Sequence, residues 1–448
     1  MAHRNTIRLS ETPPPALIRP FAEFFRLEAS GGILLLLAAV TALVVANSPL
    51  GPSYLRLWST PVTVGGGDWV LTKPLLLWVN DGLMALFFFV VGLEIKREII
   101  IGELSSLKKA AIPLAAAIGG MLVPALIYLA LNHQGSTARG WGIPMATDIA
   151  FALGILALVG RGAPLGLKVF LTAVAIIDDI GAVLVIALFY TSKLSLTALG
   201  LAGVVLIALA LLNRSGTRSS LPYAVLGVIL WLAVLKSGIH ATVAGVVLAF
   251  FIPCRRAIDE DTFLEKARSM LDALAGEGSS PGPMPGATQL DAIQSLEVLS
   301  KAAVTPLARL EERLHPWVAF FIVPIFAFAN AGVTVEAGMD GLLQDSVMLG
   351  VALGLFLGKP LGVLALSWFA SRTGLGELPA GVEWIHIAGA AALCGVGFTM
   401  SLFIGGLAFE LPENLAHAKV GILLGSALSA VLGALLIRAG KKSRPSAA

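Results

Sequence analysis

The sequence has little charge and almost no cysteine. Only 13% of its 448 residues are charged, about half of the ~25% that is usual in soluble domains. So little charge excludes an ordinary soluble enzyme, a nucleic-acid-binding protein and a disordered scaffold. The two cysteines, Cys254 and Cys394, cannot build a disulfide framework or a zinc site.

Hydrophobic residues, in contrast, make up 57% of the chain, and the mean hydropathy is +0.87. Apolar segments of spanning or near-spanning length lie at about 31–46, 75–95, 110–131, 145–159, 168–190, 194–212, 222–236, 239–252, 316–333, 347–370, 385–407 and 417–438. The sequence therefore predicts an all-α polytopic membrane protein with twelve transmembrane helices in one domain, 27–438. Short polar tails precede it (1–26) and follow it (439–448).

The basic residues are divided unequally between the two sides of the membrane that these twelve spans define. The termini and even-numbered loops hold 24 lysines and arginines, whereas the odd-numbered loops hold six. Because basic loops remain in the cytoplasm, both termini are predicted to be cytoplasmic.

Two loops differ from simple connections. The first, 48–74, lies on the periplasmic side, and two alternating runs about a glycine turn predict a β-hairpin within it. The second, 254–315, is a long cytoplasmic insertion with an amphipathic run (261–274), a Gly/Pro/Ser linker (276–286) and another helical run (290–314). It is either a part of the functional membrane domain or a solvated insertion with no role in its function.

Four carboxylates and one amine lie inside the predicted spans. They are Asp81, Asp148, Asp178, Asp179 and Lys359. Each charge costs at least ~2.5–3.5 kcal/mol in the bilayer, and charges that persist there usually line an ion or proton path. The adjacent pair Asp178 and Asp179 projects in directions ~100° apart on a helix. One carboxylate could therefore face a cation path while the other pairs with a base.

The chemistry of these groups favours cation and proton exchange. Hard cations such as Na⁺ prefer oxygen ligands, and a carboxylate in low dielectric binds protons more readily than one in water. One carboxylate can therefore accept either ion near neutral pH. The alternative for the Asp178–Asp179 pair is a buried structural ion pair.

Two spans are interrupted by helix-breaking residues. Pro144, Thr147 and Asp148 lie within the fourth span, and the sequence Cys-Gly-Val-Gly-Phe-Thr-Met-Ser lies within the eleventh, at 394–401. Paired interruptions of this kind indicate a binding site at the membrane midplane. Asp148 would neutralise positive half-helix ends, and Lys359 would neutralise negative ends or pair with Asp178.

Three other features are open to two interpretations. Asp81 lines the path or makes a structural hydrogen bond. The charged end of the second span, which contains Glu94, Arg97 and Glu98, has a functional role or only anchors the helix at the interface. His240 is a pH-sensitive group, as histidines in general can be, or a capping or packing residue in a turn.

Together, seven motifs in order resemble the NhaA-type bacterial sodium/proton antiporters over about residues 21–438. They are Ala-Thr-Asp-Ile-Ala-Phe-Ala-Leu-Gly (146–154), Ala-Ile-Ile-Asp-Asp (175–179), Leu-Lys-Ser-Gly-Ile-His-Ala-Thr (235–242), His-Pro-Trp (315–317), Phe-Ala-Phe-Ala-Asn-Ala-Gly (326–332), Gly-Lys-Pro-Leu-Gly (358–362) and the motif at 394–401. The resemblance implies inverted repeats of spans 3–5 and 10–12, with spans 4 and 11 crossing as discontinuous helices.

The resemblance also implies residue roles. Asp179 is the principal carboxylate for Na⁺ and protons, Asp178 and Thr147 lie beside it, and Lys359 and Asp148 compensate charge. The residues implied in the response to pH are Glu94, Arg97, Glu98, Glu311, His240 and Asp81. A homodimer through the hairpin at 61–72 and a location in the bacterial inner membrane are implied as well. The chain departs from the family in its insertion, its N-terminal extension and Ala308, where well-studied relatives have a basic residue.

The sequence thus predicts an electrogenic antiporter, not an enzyme, that expels Na⁺ or Li⁺ in exchange for more than one proton and is activated at alkaline pH. No cofactor and no nucleic-acid partner are expected. Two alternatives are an intramembrane aspartyl protease, with Asp148 and Asp179 as its dyad, and a channel or proton-coupled carrier of an organic solute. The protease leaves Lys359 and the broken helices without a role, and the carrier should have a more aromatic and polar lining.

Overall fold

The computed structural model describes residues 30–66, 69–160, 163–191, 194–276, 287–334 and 344–442. Three predicted segments lie outside the described residues: the N-terminal tail 1–26, linker residues 277–286 and residues 443–448 of the C-terminal tail. The chain forms two compact units. The first comprises residues 1–80, 106–188 and 319–448, and the second comprises residues 81–105 and 189–318.

The first unit contains the two interrupted spans. Its elements are α1 (Ser30–Ala46), α2 (Gly51–Ser59), β1 (Pro61–Gly66), β2 (Trp69–Pro74), the start of α3 (Leu75–Ile101), α4 (Leu107–Leu131), a 3₁₀ helix (Gly135–Met145), α5 (Ile149–Val159), α6 (Leu165–Phe189), the end of α12 (Pro306–Asn330), α13 (Ser346–Arg372), α14 (Trp384–Cys394), α15 (Phe398–Ala408) and α16 (Pro412–Lys442).

The second unit contains the insertion. Its elements are the remainder of α3, then α7 (Leu196–Arg214), α8 (Ser220–Ser237), α9 (Thr242–Phe251), α10 (Glu260–Gly276), α11 (Ala287–Ala303) and the start of α12. Leu93, Leu209 and Leu230, from three of these helices, are among the residues of its buried core.

Every one of the twelve apolar segments contains a helix in the described part of the chain. Eight described helices are long and apolar enough to cross a membrane, or up to eleven if each bent pair is one span. Thr242–Phe251 is a further apolar helix of 10 residues. The helical class is therefore confirmed, whereas the count of twelve and the inverted repeats stay predictions.

The predicted hairpin is confirmed as a two-stranded antiparallel sheet. Pro61 pairs with Pro74, and Thr63 pairs with Thr72, whose hydroxyl lies 2.9 Å from that of Thr63. The sequence did not predict α2, which begins with Gly51 and has Pro52 in its first turn, where a missing N–H costs nothing.

The insertion contains two helices that pack against each other, α10 and α11. The helical run predicted over 290–314 is divided at 304–305. There Thr305 caps the next helix by accepting a hydrogen bond from Ala308 N (3.2 Å), and Pro306 occupies its first position. For this reason α12 begins at residue 306, ten residues before the apolar segment predicted at 316.

Three long helices contain a wider, π-helical turn that hydropathy did not predict. These turns are Trp78–Leu83 in α3, Val318–Ile322 in α12 and Gly354–Gly358 in α13. Such turns occur often at functional sites. The turn in α13 ends immediately before Lys359.

Glycine allows α4 and α13 to approach closely. A Cβ atom at Gly119 would overlap Gly362 O, and a Cβ atom at Gly362 would overlap Gly119 O. One at Gly120 would lie 3.7 Å from Lys359 Cγ. Small residues at helix contacts permit this backbone approach inside membranes, and here the contact lies beside Lys359.

Candidate functional site

The two interrupted spans meet at their breaks in the first unit. The 3₁₀ helix and α5 are bent by 42° about residues 146–148, and α14 and α15 are bent by 41° about residues 395–397. Asp148 N donates to Val396 O (2.7 Å), and Ser401 Oγ donates to Ile143 O (2.7 Å). The predicted interruptions are therefore present, and the two stretches of non-helical backbone contact each other.

Asp148 lies at the N-terminus of α5 and contacts the first turn of two half-helices. Its Oδ1 accepts a hydrogen bond from Phe151 N in α5 (3.0 Å). Its Oδ2 accepts hydrogen bonds from Thr399 N (3.1 Å) and Thr399 Oγ1 (2.5 Å) in α15. Helix N-termini have unpaired N–H groups and a partial positive charge. The one buried Asp148 carboxylate can therefore accept hydrogen bonds from both helix N-termini and offset their partial positive charge.

Asp178 forms a fully buried ion pair with Lys359. The Lys359 Nζ to Asp178 Oδ2 distance is 2.9 Å, and both side chains are 0% exposed. Thr147 Oγ1 lies 2.6 Å from the same carboxylate oxygen. Among the described residues, the buried Asp178 Oδ1 has no hydrogen-bond partner. One oxygen of the carboxylate is thus shared, and the other retains its lone pairs for a ligand.

The Thr147 hydroxyl has two acceptors and one proton. Besides Asp178 Oδ2, the Cys394 carbonyl oxygen lies within hydrogen-bond distance of Thr147 Oγ1 (2.9 Å). Because a hydroxyl donates only one proton, it can serve either the carboxylate or the carbonyl at one time. Whichever acceptor it leaves can bind a cation.

Lys359 also contacts the end of a half-helix. Its Nζ donates to the carbonyl oxygen of Met145, the last residue of the 3₁₀ helix. Carbonyl groups at helix C-termini have partial negative charge. The ammonium group therefore contacts both a carboxylate and a helix end.

Asp179 is the next residue of α6 and is 3% exposed. It projects about 100° away from Asp178 around the helix axis. Within the described residues there is no group of three or more His, Cys, Asp or Glu side chains that could hold a metal ion. A cation site here would therefore need hydroxyl and carbonyl oxygens besides carboxylates, as Thr147 and Cys394 provide.

In the second unit, the acidic and basic residues at the end of α3 form a cluster with α12. Arg97 Nη1 pairs with Glu311 Oε1, and Arg97 Nη2 lies 3.2 Å from Glu98 Oε1. Glu94 interacts electrostatically with Arg97, Glu98 and Glu311. Four of the six predicted pH-response residues are thereby brought together.

The two other predicted pH-response residues lie elsewhere in the same unit. Asp81 is in the π-helical turn of α3, and its carbonyl oxygen accepts a hydrogen bond from Trp231 Nε1 in α8 (2.9 Å). His240 is in the turn between α8 and α9, where Gly238 has φ of 92°, and its carbonyl oxygen accepts from Val243 N (3.1 Å).

Two polar contacts near the breaks involve residues that were not predicted as site residues. Thr399 binds Asp148, as described above, and could have been inferred from its position in the interrupted segment. Ser426 in α16 accepts hydrogen bonds from Gly397 N and Phe398 N (both 3.2 Å). No signal in the sequence marks this serine, because it lies within a regular apolar helix.

Comparison with known proteins agrees with this architecture. The model of the family described as "Na+/H+ antiporter 1" matches residues 22–437. A protein of Oleidesulfovibrio alaskensis named "Na(+)/H(+) antiporter NhaA" is 52% identical over 98% of this chain and 98% of its own length. A protein of the same name from Koribacter versatilis is 49% identical over 95% of this chain and 92% of its own length.

A third relative with this name, from Syntrophobacter fumaroxidans, is 49% identical over 96% of this chain and 92% of its own length. The predicted resemblance is thereby confirmed across nearly the whole chain. The apolar helices and these matches together indicate an integral membrane protein. The chain belongs to the Na+/H+ antiporter 1 family.

Proposed function

We infer that this protein is a secondary transporter that expels Na⁺ or Li⁺ in exchange for protons by alternating access. The observation that carries the proposal is the buried Asp178 carboxylate, which shares one oxygen between Lys359 and Thr147 and leaves the other without a hydrogen-bond partner in the described residues. A charged pair fully removed from water costs several kcal/mol per ion before its attraction is counted. Its use as an exchangeable ion site accounts for its presence.

In the proposed cycle, Asp178 exchanges partners. When a Na⁺ ion enters, it takes the place of the Lys359 ammonium beside Asp178, with Asp179 as the principal carboxylate and Thr147 as a neutral oxygen ligand. When a proton binds instead, the carboxyl group has no charge to hold the cation, and the cation leaves. Proton and cation therefore compete for the same oxygen atoms.

Asp148 is proposed to compensate charge rather than to bind the transported ion. Both of its oxygens accept hydrogen bonds from the first turns of α5 and α15. Its negative charge offsets the two positive helix ends, while Lys359 offsets the negative end at Met145. The same bonds argue against a protease dyad, because neither Asp148 oxygen is left without a hydrogen-bond donor.

The exchange is proposed to be electrogenic. Asp178, Asp179 and Lys359 can all change protonation while a single cation binds, so more than one proton enters for each cation that leaves. The voltage across the membrane then drives transport as well as the pH difference. A reversal potential that follows the pH difference alone would contradict this stoichiometry.

Regulation and assembly are part of the same proposal. The cluster of Glu94, Arg97, Glu98 and Glu311, with Asp81 and His240, is proposed to activate exchange at alkaline pH. We propose an inner-membrane location, cytoplasmic termini and a homodimer through the hairpin at 61–72. Val64 and Val70 leave about half of their surfaces exposed there (55% and 51%), which supports a protein contact.

The test is dissipation of a pH gradient in inside-out vesicles when Na⁺, Li⁺ or K⁺ is added, scanned between about pH 6.5 and 8.5. Na⁺ and Li⁺ are expected to give a response that rises with pH, and K⁺ none. Asp179→Asn should abolish it. The matched control is Asp259→Asn, the same chemical change at an exposed carboxylate of the insertion, and it should respond like the wild type.

Two results would contradict the proposal in different ways. If Na⁺ gave no response at any pH, sodium exchange itself would be wrong and organic solutes would be the next substrates to try. If the response survived Asp179→Asn, exchange would stand but the assignment of its principal carboxylate would not.

A further inference from the structure

The N-terminus of α15 is neutralised by two side chains of different charge. Its first N–H groups are those of Gly397, Phe398 and Thr399. Thr399 N donates to the carboxylate of Asp148, whereas Gly397 N and Phe398 N both donate to the hydroxyl oxygen of Ser426. All three bonds are buried, so removing a partner would take from a buried N–H group the acceptor that it has here, which is costly.

Ser426 belongs to a helix that is closely packed against the lysine-bearing helix. A Cβ atom at Gly425 would lie 3.0 Å from Ala352 O and 3.0 Å from Leu355 Cβ, and one at Gly421 would lie 3.1 Å from Val351 Cβ. One turn from Ser426, Ser429 Oγ donates to Leu355 O (3.3 Å), within the π-helical turn that precedes Lys359. The close approach at Gly421 and Gly425 therefore places the neighbouring Ser426 against α13.

We propose that Ser426 is a positioning residue for cation binding. Its hydroxyl accepts the hydrogen bonds of the Gly397 and Phe398 N–H groups, so that these groups do not attract the Asp148 carboxylate. This inference rests on the proposed exchange function. Asp148 follows Thr147 in the chain, and Thr147 Oγ1 is the group that contacts both Asp178 and the Cys394 carbonyl. A shift of Asp148 toward two unpaired amides would therefore displace a cation ligand.

Removing the Ser426 hydroxyl also raises the positive electrostatic potential at the break between α14 and α15. Uncompensated N–H groups at a helix N-terminus favour anions and oppose cations. Ser426→Ala should therefore weaken Na⁺ binding and leave the maximal rate nearly unchanged. We expect a rise of about three- to tenfold in the KM for Na⁺, the size of typical helix-end effects in partly buried sites.

The test compares four forms of the full-length protein in proteoliposomes: wild type, Ser426→Ala, Ser426→Thr and Ser429→Ala. The threonine keeps the hydroxyl and should restore a KM near that of the wild type. Ser429→Ala removes another buried hydroxyl from the same helix, but that hydroxyl donates to the Leu355 carbonyl and accepts no hydrogen bond from Gly397 or Phe398. It should leave the KM unchanged.

Hydrogen exchange of the peptide covering 394–400 provides a readout that does not depend on transport. In the Ser426→Ala variant, the amide hydrogens of this peptide should exchange faster than in the wild type. In the Ser426→Thr variant they should exchange at the wild-type rate. If the alanine variant does not insert stably, Ser426→Cys replaces it. Its thiol is similar in size but a weaker acceptor, so a smaller rise in KM is expected.

Three results would overturn the positioning role: an unchanged KM in Ser426→Ala or Ser426→Cys, an equal rise in Ser429→Ala, or no rescue by threonine. If Ser426→Ala speeds hydrogen exchange in the peptide 394–400 but leaves the KM for Na⁺ unchanged, the serine holds the amides without serving cation binding. If the wild type itself does not respond to Na⁺, it is the proposed function that fails. The hydrogen-exchange data still decide whether Ser426 holds the amides of Gly397 and Phe398.

Discussion

At the scale of single residues, the site depends on Asp178 and the groups that share its oxygens. Lys359 and Thr147 contact the same Asp178 oxygen, and the side chains of Lys359 and Asp178 are 0% exposed. An ion pair without solvent has a large desolvation cost for each member. The stability of the pair should therefore depend strongly on whether both partners are present.

This dependence gives a prediction for Lys359. Replacing it with methionine leaves a lone buried carboxylate, and we expect a loss of about 3–5 kcal/mol in unfolding free energy. The double variant Lys359→Met/Asp178→Asn should lose less, because no uncompensated charge remains. Thermal unfolding in detergent at alkaline pH measures both. At acidic pH the lone carboxyl can bind a proton, so the single variant should recover part of its loss there.

A double variant that is less stable than the single one would contradict this account. It would mean that packing, rather than the unpaired charge, determines the cost of removing the lysine.

The sequence predicted the charged members of the site but not all of the polar ones. Asp148, Asp178 and Lys359 were found because charge inside an apolar span is costly enough to require an explanation. Ser426 was missed because serine inside a membrane helix is inexpensive and common. Its role arises from contacts with residues 28 and 29 positions earlier, which depend on tertiary packing.

At the scale of elements, hydropathy gave the positions of the helices but not the course of the backbone within them. Composition predicted both interruptions, because Pro144, Thr147 and Asp148 occur together in the fourth span and two glycines, 395 and 397, occur close together in the eleventh. It did not predict the wide turn Gly354–Gly358. Apolar residues fit α-helical and π-helical turns equally well, so periodicity does not distinguish them.

Two distant residues of the insertion lie next to each other, because Ala257 N donates to Ala302 O (3.0 Å). Residues 258–301 should therefore be replaceable by a Gly-Gly linker without strain in the rest of the second unit. We expect the shortened protein to keep the wild-type KM for Na⁺ and maximal rate in the vesicle assay. If the shortened protein enters the membrane normally but does not exchange ions, residues 258–301 take part in transport.

Within the insertion, Asp259 should make the start of α10 sensitive to pH. Thr262 holds the pKa of Asp259 below its ordinary value through its side chain and its N–H, which lies 2.8 Å from Asp259 Oδ1. A group with a lowered pKa stabilises the fold above its unfolded-state pKa and loses this contribution as the pH falls through its folded-state pKa. Protection of the first-turn amides of α10 should therefore decrease in acid.

Hydrogen exchange on the full-length protein tests this, with rates corrected for the intrinsic effect of pH. Asp259→Ala should have low protection of α10 at every pH. If the wild type and this variant behaved alike at neutral pH, the capping role of Asp259 would be excluded.

At the scale of the whole molecule, the division of basic residues into 24 and six predicts which loops are cytoplasmic. This prediction can be tested by cysteine labelling in a Cys254→Ser background. Thr63→Cys in β1 should react with an impermeant maleimide added to spheroplasts. Glu265→Cys in α10 should react only after permeabilisation. The reverse labelling pattern would show that the protein has the opposite orientation in the membrane.

The single proton of Thr147 also has a spectroscopic consequence. When a cation occupies Asp178 or the Cys394 carbonyl, the hydroxyl must turn to the remaining acceptor, and the strength of the C=O bond at Cys394 changes. Because the chain has only two cysteines, feeding cysteine with a ¹³C carbonyl marks this bond and one other, at Cys254. An infrared difference spectrum with and without Na⁺ would then report the occupancy of the site as the frequency of one carbonyl vibration.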